Sequence, residues 1–273
     1  MSFVHCTAPK TKPSATDECL IIQGDQLLTR TDTSVGVQLP AFGELMAWPE
    51  KSTIHSPLHV GLFNNRPLWL YAIGNAAAIP PVGWQWTETR SLLGTLTTGQ
   101  LQAISCAREL SWWQSRNRYC GHCGTPTVDA GEERAKRCPS CNALFFPIIS
   151  PAVIIAITRG DQILLGHNRN FRPGMFSLLA GFVDPGETLE QSAVREVREE
   201  VGIEITDLRY ISSQPWPFPN SLMAGFRATH RSGEIVVDGK EIEQAGWFTR
   251  DALPEIPRPG TVARSLIDAW LSE

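Results

Sequence analysis

A helix between residues 188 and 201 is the part of the sequence that most constrains the fold. Thr188 and Gln191 have the spacing of a capping box, in which each side chain bonds the backbone of the other residue at the helix start. Gly202 follows at the position where a glycine commonly ends a helix. Apolar residues recur between these signals at helical spacing, which predicts a helix with one buried face.

The same helix carries a dense group of carboxylates. Glu196, Glu199 and Glu200 are spaced i, i+3 and i+4, so their side chains point to one patch about one turn tall. Like charges this close raise each other's pKa and cost stability unless a cation lies among them, and oxygen ligands suit Mg²⁺ or Mn²⁺. The neighbouring Arg195 can hold one carboxylate in place. The alternative from these residues alone is an ordinary Glu/Arg-rich surface helix.

Four of the seven cysteines form two Cys-x-x-Cys pairs separated by 14 residues. Thiolates on two tight turns can close a tetrahedron around zinc, and a shell of four cysteines leaves no open position for a substrate. The first pair alone, Cys-Gly-His-Cys, also resembles the active dithiol of disulfide isomerases, but a thioredoxin-like unit has no second pair downstream. The sequence therefore predicts one structural Zn²⁺ per chain, bound by Cys120, Cys123, Cys138 and Cys141.

The 273 residues are enough for two domains of ordinary size. We expect a loose arm over residues 1–20, a sheet-rich domain with a linking helix over 21–116, a zinc ribbon over 117–148 and a further domain over 149–273. Strands mixed with two helices make this last domain α+β or mixed α/β. No internal repeat is visible in the sequence. The predicted strands cover residues 20–22, 60–62, 68–73, 152–158, 162–165, 208–211, 222–226 and 235–237, and the other predicted helices cover 99–116 and 261–271.

Composition excludes several classes of partner. Hydrophobic residues make up 42% and charged residues 19% of the chain, as in globular proteins. The net charge of −4 gives no long-range positive field that would attract DNA or an anionic membrane. Prolines break the longest apolar stretch, 144–157, before it reaches the length of a membrane span. The first 20 residues do not resemble a secretory signal, so we expect a cytoplasmic location and reduced cysteines.

The residues from Gly181 to Ile203 resemble a complete Nudix box. The pattern is Gly-x5-Glu-x7-Arg-Glu-U-x-Glu-Glu-x-Gly-U with U aliphatic, and Val197 and Ile203 fill both aliphatic positions. Nudix hydrolases share an α/β/α sandwich and, with divalent metal, cleave diphosphates linked to another moiety. The resemblance implies that fold and that type of reaction for residues 149–273.

A second motif indicates one particular branch of the Nudix hydrolases. The segment Ser213–Ser221, Ser-Gln-Pro-Trp-Pro-Phe-Pro-Asn-Ser, is similar to the array that marks the NADH pyrophosphatase branch of the Nudix hydrolases. Members of that branch also carry a four-cysteine zinc site before the Nudix domain. They hydrolyse NAD(H) to nicotinamide mononucleotide and AMP, and bacterial members remove NAD caps from the 5′ ends of RNA. The resemblance implies NAD(H) and NAD-capped RNA as substrates.

The resemblance also implies roles for individual residues. Glu200 would accept the proton of the attacking water, with Glu196 and Glu199 in the same catalytic cluster. The implied ligands of Mg²⁺ or Mn²⁺ are Glu196, Glu199, Glu200, Glu241 and the backbone carbonyl of Ala180. The implied substrate contacts are Phe146 and Phe182 around the nicotinamide, Gln214, Trp216 and Ser221 from the second subunit of a homodimer, the backbone of Ala263, and Arg90 at a phosphate.

Two residues depart from the pattern of this branch, and the sequence is also compatible with two other functions. Phe146 and Asn220 stand where relatives often have tyrosine and glutamine. One alternative is a broader dinucleotide or ADP-ribose diphosphatase. The other is of a different class, an RNA-binding module in which the zinc ribbon grips RNA and the Nudix unit is inert.

Overall fold

The protein is described by a computed structural model that covers residues 2–6, 12–32, 36–48, 57–73, 78–131 and 133–273. The chain forms two compact units. Unit 1 comprises Met1–Ile148 together with Pro217–Asn220, and unit 2 comprises Ile149–Trp216 together with Ser221–Glu273. Within the described ranges, no helix combines the length and the apolar character needed to cross a bilayer.

Unit 1 is built on a mostly antiparallel sheet with a long helix packed on one face and a short helix on the other. The strands follow the order β1-β5-β6-β2-β3-β4, and β7 also pairs with β3. The helix α2 begins with a capping box between Thr97 and Gln100 and buries Ala107, Leu110 and Trp113 in the core of this unit. The elements are β1 (Phe3–Val4), β2 (Glu18–Gln23), β3 (Gln26–Asp32), β4 (Gly36–Gln38), α1 (Phe42–Met46), β5 (Leu58–Phe63), β6 (Arg66–Ala72), β7 (Gln85–Glu88), a 3-10 turn (Thr89–Leu92) and α2 (Thr98–Arg116).

The expectation of a loose arm over residues 1–20 is wrong at both ends. Phe3 pairs with Phe63 at one edge of the sheet, so the start of the chain contributes β1. Cys19 and Leu20 belong to β2 and are fully buried, because β2 lies between β6 and β3 inside the sheet. Residues 7–11 lie outside the described residues.

The cysteine-containing part of unit 1 forms a small sheet of its own. Its strands are β8 (Val128–Asp129), β9 (Lys136–Arg137) and β10 (Leu144–Phe145), in the antiparallel order β10-β9-β8. Such short strands bury little apolar surface, so this region needs another source of stability.

Unit 2 is a six-stranded mixed sheet with a helix on each face. Its strands follow the order β14-β15-β11-β12-β16, with β13 on β11, and only β11 and β15 run parallel. Along β11, Val153 and Ile155 pack with α3 on one face, whereas Ile154 packs with α4 on the other. This alternation produces the expected α/β/α sandwich. The elements are β11 (Ser150–Arg159), β12 (Gln162–Asn168), β13 (Leu179–Phe182), α3 (Leu189–Val201), β14 (Glu204–Trp216), β15 (Ser221–Ser232), β16 (Ile242–Thr249) and α4 (Val262–Leu271).

Most predicted elements of unit 2 are confirmed, and one is wrong. The opening hairpin, the central helix and the last helix lie where the sequence predicts them. Residues 235–237 do not form a strand. The backbone amide of Val236 instead donates a hydrogen bond of 3.0 Å to the carbonyl of Val201 at the end of α3. Two strands of the sheet, β13 and β16, have no counterpart among the predicted strands.

The two sheets share one connectivity, although the sequence shows no repeat. The path β5-β6-β2-β3-β7 in unit 1 has the same chain order and strand directions as β14-β15-β11-β12-β16 in unit 2. The central parallel pair is β2 with β6 in one unit and β11 with β15 in the other, and a helix follows the last strand of each. The repetition is therefore one of topology and not of sequence. Among the described residues of unit 1, no long helix corresponds to α3.

Candidate functional site

The helix α3 displays the carboxylates as its sequence predicts. The Thr188 hydroxyl accepts a hydrogen bond from the Gln191 amide, and Gly202 ends the helix with a left-handed φ of 73°. Ala193 and Val197 fix one face of α3 in the core of unit 2. The rotation of the helix about its axis is thereby set, and so is the direction of its glutamates.

Glu200 is the most unusual carboxylate of this group. It is 4% exposed, and its Oε2 has no hydrogen-bond partner among the described residues. Burial and the nearby charges of Glu196, Glu241 and Asp238 raise the pKa of Glu200 to about 8. A buried carboxylate with an unpartnered oxygen is costly, so this position fits a bound cation much better than it fits a purely structural role.

Arg195 organises the carboxylates next to Glu200. Its guanidinium donates to Glu187 at 2.7 Å, to Glu196 at 2.8 Å and to Glu199 at 3.1 Å. It also donates to the backbone carbonyl of Phe182 at 2.9 Å. The hydrogen bond from Arg195 lowers the pKa of Glu187 to about 2, whereas burial raises the pKa of Glu196. One arginine thus holds the loop before α3 and two of the helix glutamates together.

Gly181 lets β13 approach the Glu196 carboxylate closely. A Cβ atom at this position would lie 1.9 Å from Cδ of Glu196. Gly181 pairs with Val153 in the sheet, and the adjacent Ala180 pairs with Ile154. Ala180 is thus the neighbour in β13 of the residue that the Glu196 carboxylate approaches, and the use of Ala180 and Glu196 as ligands stays a prediction.

Replacing Gly181 by alanine is expected to displace the Glu196 carboxylate. Because that carboxylate is the far end of a flexible side chain, the fold should tolerate the change, while Mn²⁺ affinity and kcat/KM fall about 10- to 100-fold. The matched control is Gly246→Ala in β16, whose added Cβ would meet only ordinary contacts at 3.5 Å. Titration with Mn²⁺ and a thermal melt of both variants check this prediction. Equal Mn²⁺ affinity in the two variants would contradict it.

The group of carboxylates extends beyond α3. The charges of Glu241 and Asp238 act on Glu200, and the charge of Glu241 acts on Glu196 as well. The resemblance predicts Glu241, whereas Asp238 belongs to no motif and the sequence gives no signal for it. All of these groups are hard oxygen donors of the kind that Mg²⁺ and Mn²⁺ bind. The donor set and the unpartnered oxygen of Glu200 together fit a divalent cation.

The four cysteines meet the geometry of a structural zinc site. Among the described residues they are the one group of possible ligands whose donor atoms all lie within 4.8 Å of one another. The Sγ atoms of Cys123 and Cys138 are 3.5 Å apart, and those of Cys120 and Cys141 are 3.6 Å apart. A zinc–sulfur bond of about 2.3 Å gives tetrahedron edges of about 3.8 Å. The hydrogen bond with the Thr125 hydroxyl lowers the pKa of Cys123 to about 6, which favours the thiolate that zinc requires.

Two aromatic rings implied as substrate contacts are free to stack. Phe182, at the end of β13, is 58% exposed, and Phe146 is 51% exposed. Large exposed rings are costly in a structural role, so these positions suit contact with a planar ligand.

The other implied substrate residues of unit 2 lie around the start of α4 and the ends of β14 and β15. The Gln214 amide donates to the carbonyl of Gly260 at 2.8 Å and accepts from the backbone amide of Val262 at 2.7 Å. Ala263 is buried in the first turn of α4. Trp216 and the buried Ser221 pair with each other across the two strands. No described hydrogen bond links this group to the carboxylates of α3.

In the structure Arg90 lies against an aromatic ring, whereas the resemblance implies that it contacts a phosphate. Its guanidinium lies 4.6 Å from the ring centroid of Phe218, and that of Arg108 lies 5.0 Å from the same ring. The buried Arg108 also donates to the carbonyl of Pro217 at 3.2 Å and to the Asp25 carboxylate at 2.6 Å. Within unit 1, Arg90 therefore contacts the segment that carries the aromatic array, and its contact with a phosphate stays a prediction.

A cavity of about 680 Å³ lies within unit 1 and contains none of the predicted site residues. Two of its cations are already paired, Arg108 with Asp25 and Lys136 with Asp129. Arg118 is the third cation that lines the cavity, and the residues implied as metal ligands and substrate contacts lie elsewhere.

Comparison with known protein families accounts for most of the chain. Residues 149–270 match the NUDIX domain, residues 115–146 match the NADH pyrophosphatase zinc ribbon domain, and residues 16–113 match the NADH pyrophosphatase-like rudimentary NUDIX domain. The last description agrees with the shared connectivity of the two sheets.

Individual relatives agree with these matches. An NAD-capped RNA hydrolase NudC of Pseudomonas aeruginosa is 43% identical over 213 residues, which cover 78% of this chain and 76% of the relative. The NudC of Pseudomonas syringae is 40% identical over 257 residues, which cover 93% and 88%. A crystal structure of a NUDIX hydrolase from Nitrosomonas europaea shares the fold, with a TM-score of 0.50 and 22% identity over 57% of this chain and 91% of that one.

The sandwich and its carboxylate helix define a Nudix hydrolase domain. The zinc ribbon and the second, reduced sheet are the features that divide this class further. The chain belongs to the NADH pyrophosphatase family of Nudix hydrolases.

Proposed function

We propose that this chain hydrolyses the diphosphate of NAD(H) to nicotinamide mononucleotide and AMP, and that it removes NAD caps from the 5′ ends of RNA. The observation that carries the proposal is Glu200, a buried carboxylate with an unpartnered oxygen among other carboxylates, in a family whose relatives are named NAD-capped RNA hydrolases. In an inert Nudix unit, a buried carboxylate with an unpartnered oxygen would lower stability without any compensating function. This cost argues against the alternative of a purely RNA-binding module.

Different residues in and around α3 have different roles in the proposed reaction. Glu196, Glu199, Glu200, Glu241 and the Ala180 carbonyl would hold Mg²⁺ or Mn²⁺. When bound, the cation neutralises the diphosphate and lowers the pKa of water. Glu200 accepts a proton from the water that attacks the AMP-side phosphorus, and the bridging oxygen leaves with the mononucleotide. The exposed ring of Phe182 orients the nicotinamide by stacking.

We also propose a homodimer in the cytoplasm. The implied contribution of Gln214, Trp216 and Ser221 from a second subunit supports the dimer. Exposed apolar residues on β14 and β15, Tyr210, Ile211 and Leu222, offer unit 2 a surface that a second copy would cover. Thiols arranged for zinc need a reducing compartment, which supports the location. The division into 21–116, 117–148 and 149–273 stays a proposal that the matched ranges support.

A substrate comparison tests the proposed function. The full chain is assayed with NADH, NAD⁺ and NAD-capped RNA at matched concentrations, with Mn²⁺, Mg²⁺ or a chelator, and the products are identified. We expect nicotinamide mononucleotide with AMP, or with a 5′-monophosphate RNA, and at least a hundredfold loss under chelation. Faster turnover of ADP-ribose or diadenosine diphosphate would favour the broader diphosphatase, and RNA binding without any cleavage would favour the inert module.

A further inference from the structure

The segment that precedes Glu241 crosses the C-terminal end of α3. The backbone amide of Val236 donates to the carbonyl of Val201 at 3.0 Å, and that of Asp238 donates to the carbonyl of Glu200 at 3.1 Å. The last carbonyls of a helix have no partner within the helix, so these two hydrogen bonds complete its end. The segment is thereby fixed to the turn of α3 that carries Glu200.

The side chain of Asp238 holds the other end of the same segment. Its Oδ2 accepts a hydrogen bond from the backbone amide of Glu241 at 3.1 Å, and its Oδ1 accepts one from that of Ile242 at 2.9 Å. Asp238 is therefore bonded through its backbone to Glu200 and through its side chain to the backbone of Glu241.

A further tether fixes the segment from the side of β12. The Arg169 guanidinium donates to the carbonyl of Gly239 at 3.1 Å, and the Arg169 backbone amide donates to the carbonyl of Glu241 at 3.0 Å. These bonds restrain the turn as a whole. Of the described contacts, the Asp238 side chain is the one that bonds the Glu241 amide itself.

We propose that Asp238 is a positioning residue that sets the Glu241 carboxylate relative to the Glu200 carboxylate, so that both reach one divalent cation. The inference rests on the proposed function, because it takes Glu200 and Glu241 as ligands. Asp238 acts through the hydrogen bonds of its side chain. Its role is thus separable from that of an additional charged ligand.

Two substitutions separate these roles in the full chain. Asp238→Ala removes the acceptors, and we expect the Kd for Mn²⁺, measured by electron paramagnetic resonance, to rise about 10-fold or more. Asp238→Asn removes the charge but keeps one acceptor oxygen, which at the position of Oδ1 lies within hydrogen-bond distance of both backbone amides, 3.3 Å from that of Glu241 and 2.9 Å from that of Ile242. Its Kd should therefore stay within about threefold of the parent value. Equal losses in the two variants, or no loss in either, would overturn the proposal. The matched control is Asp251→Ala at the other end of β16, whose carboxylate bonds the Thr249 hydroxyl.

Hydrogen exchange of the metal-free protein provides a readout that is independent of metal. The amides of Glu241 and Ile242 should lose protection in Asp238→Ala and keep it in Asp238→Asn. A double variant with Glu241→Gln completes the test: if Asp238 acts through Glu241, adding Asp238→Ala weakens Mn²⁺ binding little further. If Glu200→Gln and Glu241→Gln leave Mn²⁺ binding unchanged, the proposed function fails; if they weaken it while Asp238→Ala does not, only this inference fails.

Discussion

Glu200→Gln should strongly lower kcat and, in the metal-free protein, raise the free energy of unfolding at neutral and alkaline pH. Loss of a general base that is also a ligand lowers kcat by about 10²- to 10⁴-fold. The stability gain follows from burial, because the parent protein must keep an ionisable carboxyl group in a site with four neighbouring carboxylates. Glutamine has nearly the same shape and never ionises.

The pH dependence has a defined sign. In the folded protein the pKa of Glu200 is about 8, above its ordinary value of 4.5, so the folded state binds its proton more tightly than the unfolded state does. The stabilisation is fully present below pH 4.5 and is lost as the pH rises through 8, at about 1.4 kcal/mol per pH unit at most. The variant avoids this loss. The free energy of unfolding of the variant should therefore exceed that of the parent only slightly at pH 5, and by on the order of 3 kcal/mol at pH 8.5.

Urea unfolding of chelator-treated parent and variant at pH 5 and 8.5 measures this difference. The control is Glu190→Gln, which removes an exposed glutamate from the first turn of the same helix and should leave the pH dependence unchanged. Mn²⁺ should then stabilise the parent and the Glu190 variant but not Glu200→Gln. If the metal-free parent protein is as stable as Glu200→Gln at pH 8.5, the ionised Glu200 carboxylate does not destabilise the fold. That result would contradict the prediction.

The sequence predicts α3 well because all of its signals are local. The capping box, the helix-ending glycine and the spacing of the glutamates lie within 16 residues and require no knowledge of the rest of the chain. The cysteine pairs are predictable for the same reason, since two short turns specify the ligands.

The parts that the sequence does not predict depend on contacts made in the folded chain. The unpartnered oxygen of Glu200 and the approach of Gly181 to Glu196 arise only when β13 packs beside α3. Residues 235–237 have the composition of a strand, yet their hydrogen-bonding capacity is used by the end of the helix. Asp238 has no motif, so only the folded structure connects it with Glu241.

The shared connectivity of the two sheets shows a second reason why the sequence does not predict the whole fold. A sheet requires apolar residues at alternate positions but not particular ones, so two halves can keep one topology without a visible sequence repeat. Unit 1 retains the sheet and the final helix, and its described residues include no carboxylate helix. The residues proposed as metal ligands all belong to unit 2, where the sequence places the complete box.

Cys138→Ser should remove the zinc and unfold the ribbon. Binding of structural zinc contributes about 10–16 kcal/mol in small zinc-finger peptides, and the three two-residue strands of the ribbon cannot replace that contribution. The Cys138 side chain is fully buried, and its sulfur also accepts a hydrogen bond from the Cys141 amide. We expect the zinc content to fall from about one per chain to near zero.

Trypsin provides the structural readout, because the ribbon contains Arg134, Lys136 and Arg137. In the parent, Arg134 is held by the carbonyl of Val60 at 3.0 Å and Lys136 by Asp129 at 2.6 Å, so cleavage there should be slow. The variant should be cut within this segment at least tenfold faster.

Two controls distinguish zinc from a redox dithiol. Cys6→Ser changes a cysteine outside the quartet and should keep both the zinc and the resistance to trypsin. Cys120→Ser should behave like Cys138→Ser, because a tetrahedral site needs all four thiolates. A dithiol of the isomerase type predicts a different pattern, in which changes to Cys120 and Cys123 matter and a change to Cys138 does not. Full zinc content and trypsin resistance in Cys138→Ser would therefore reject the structural site and favour the dithiol.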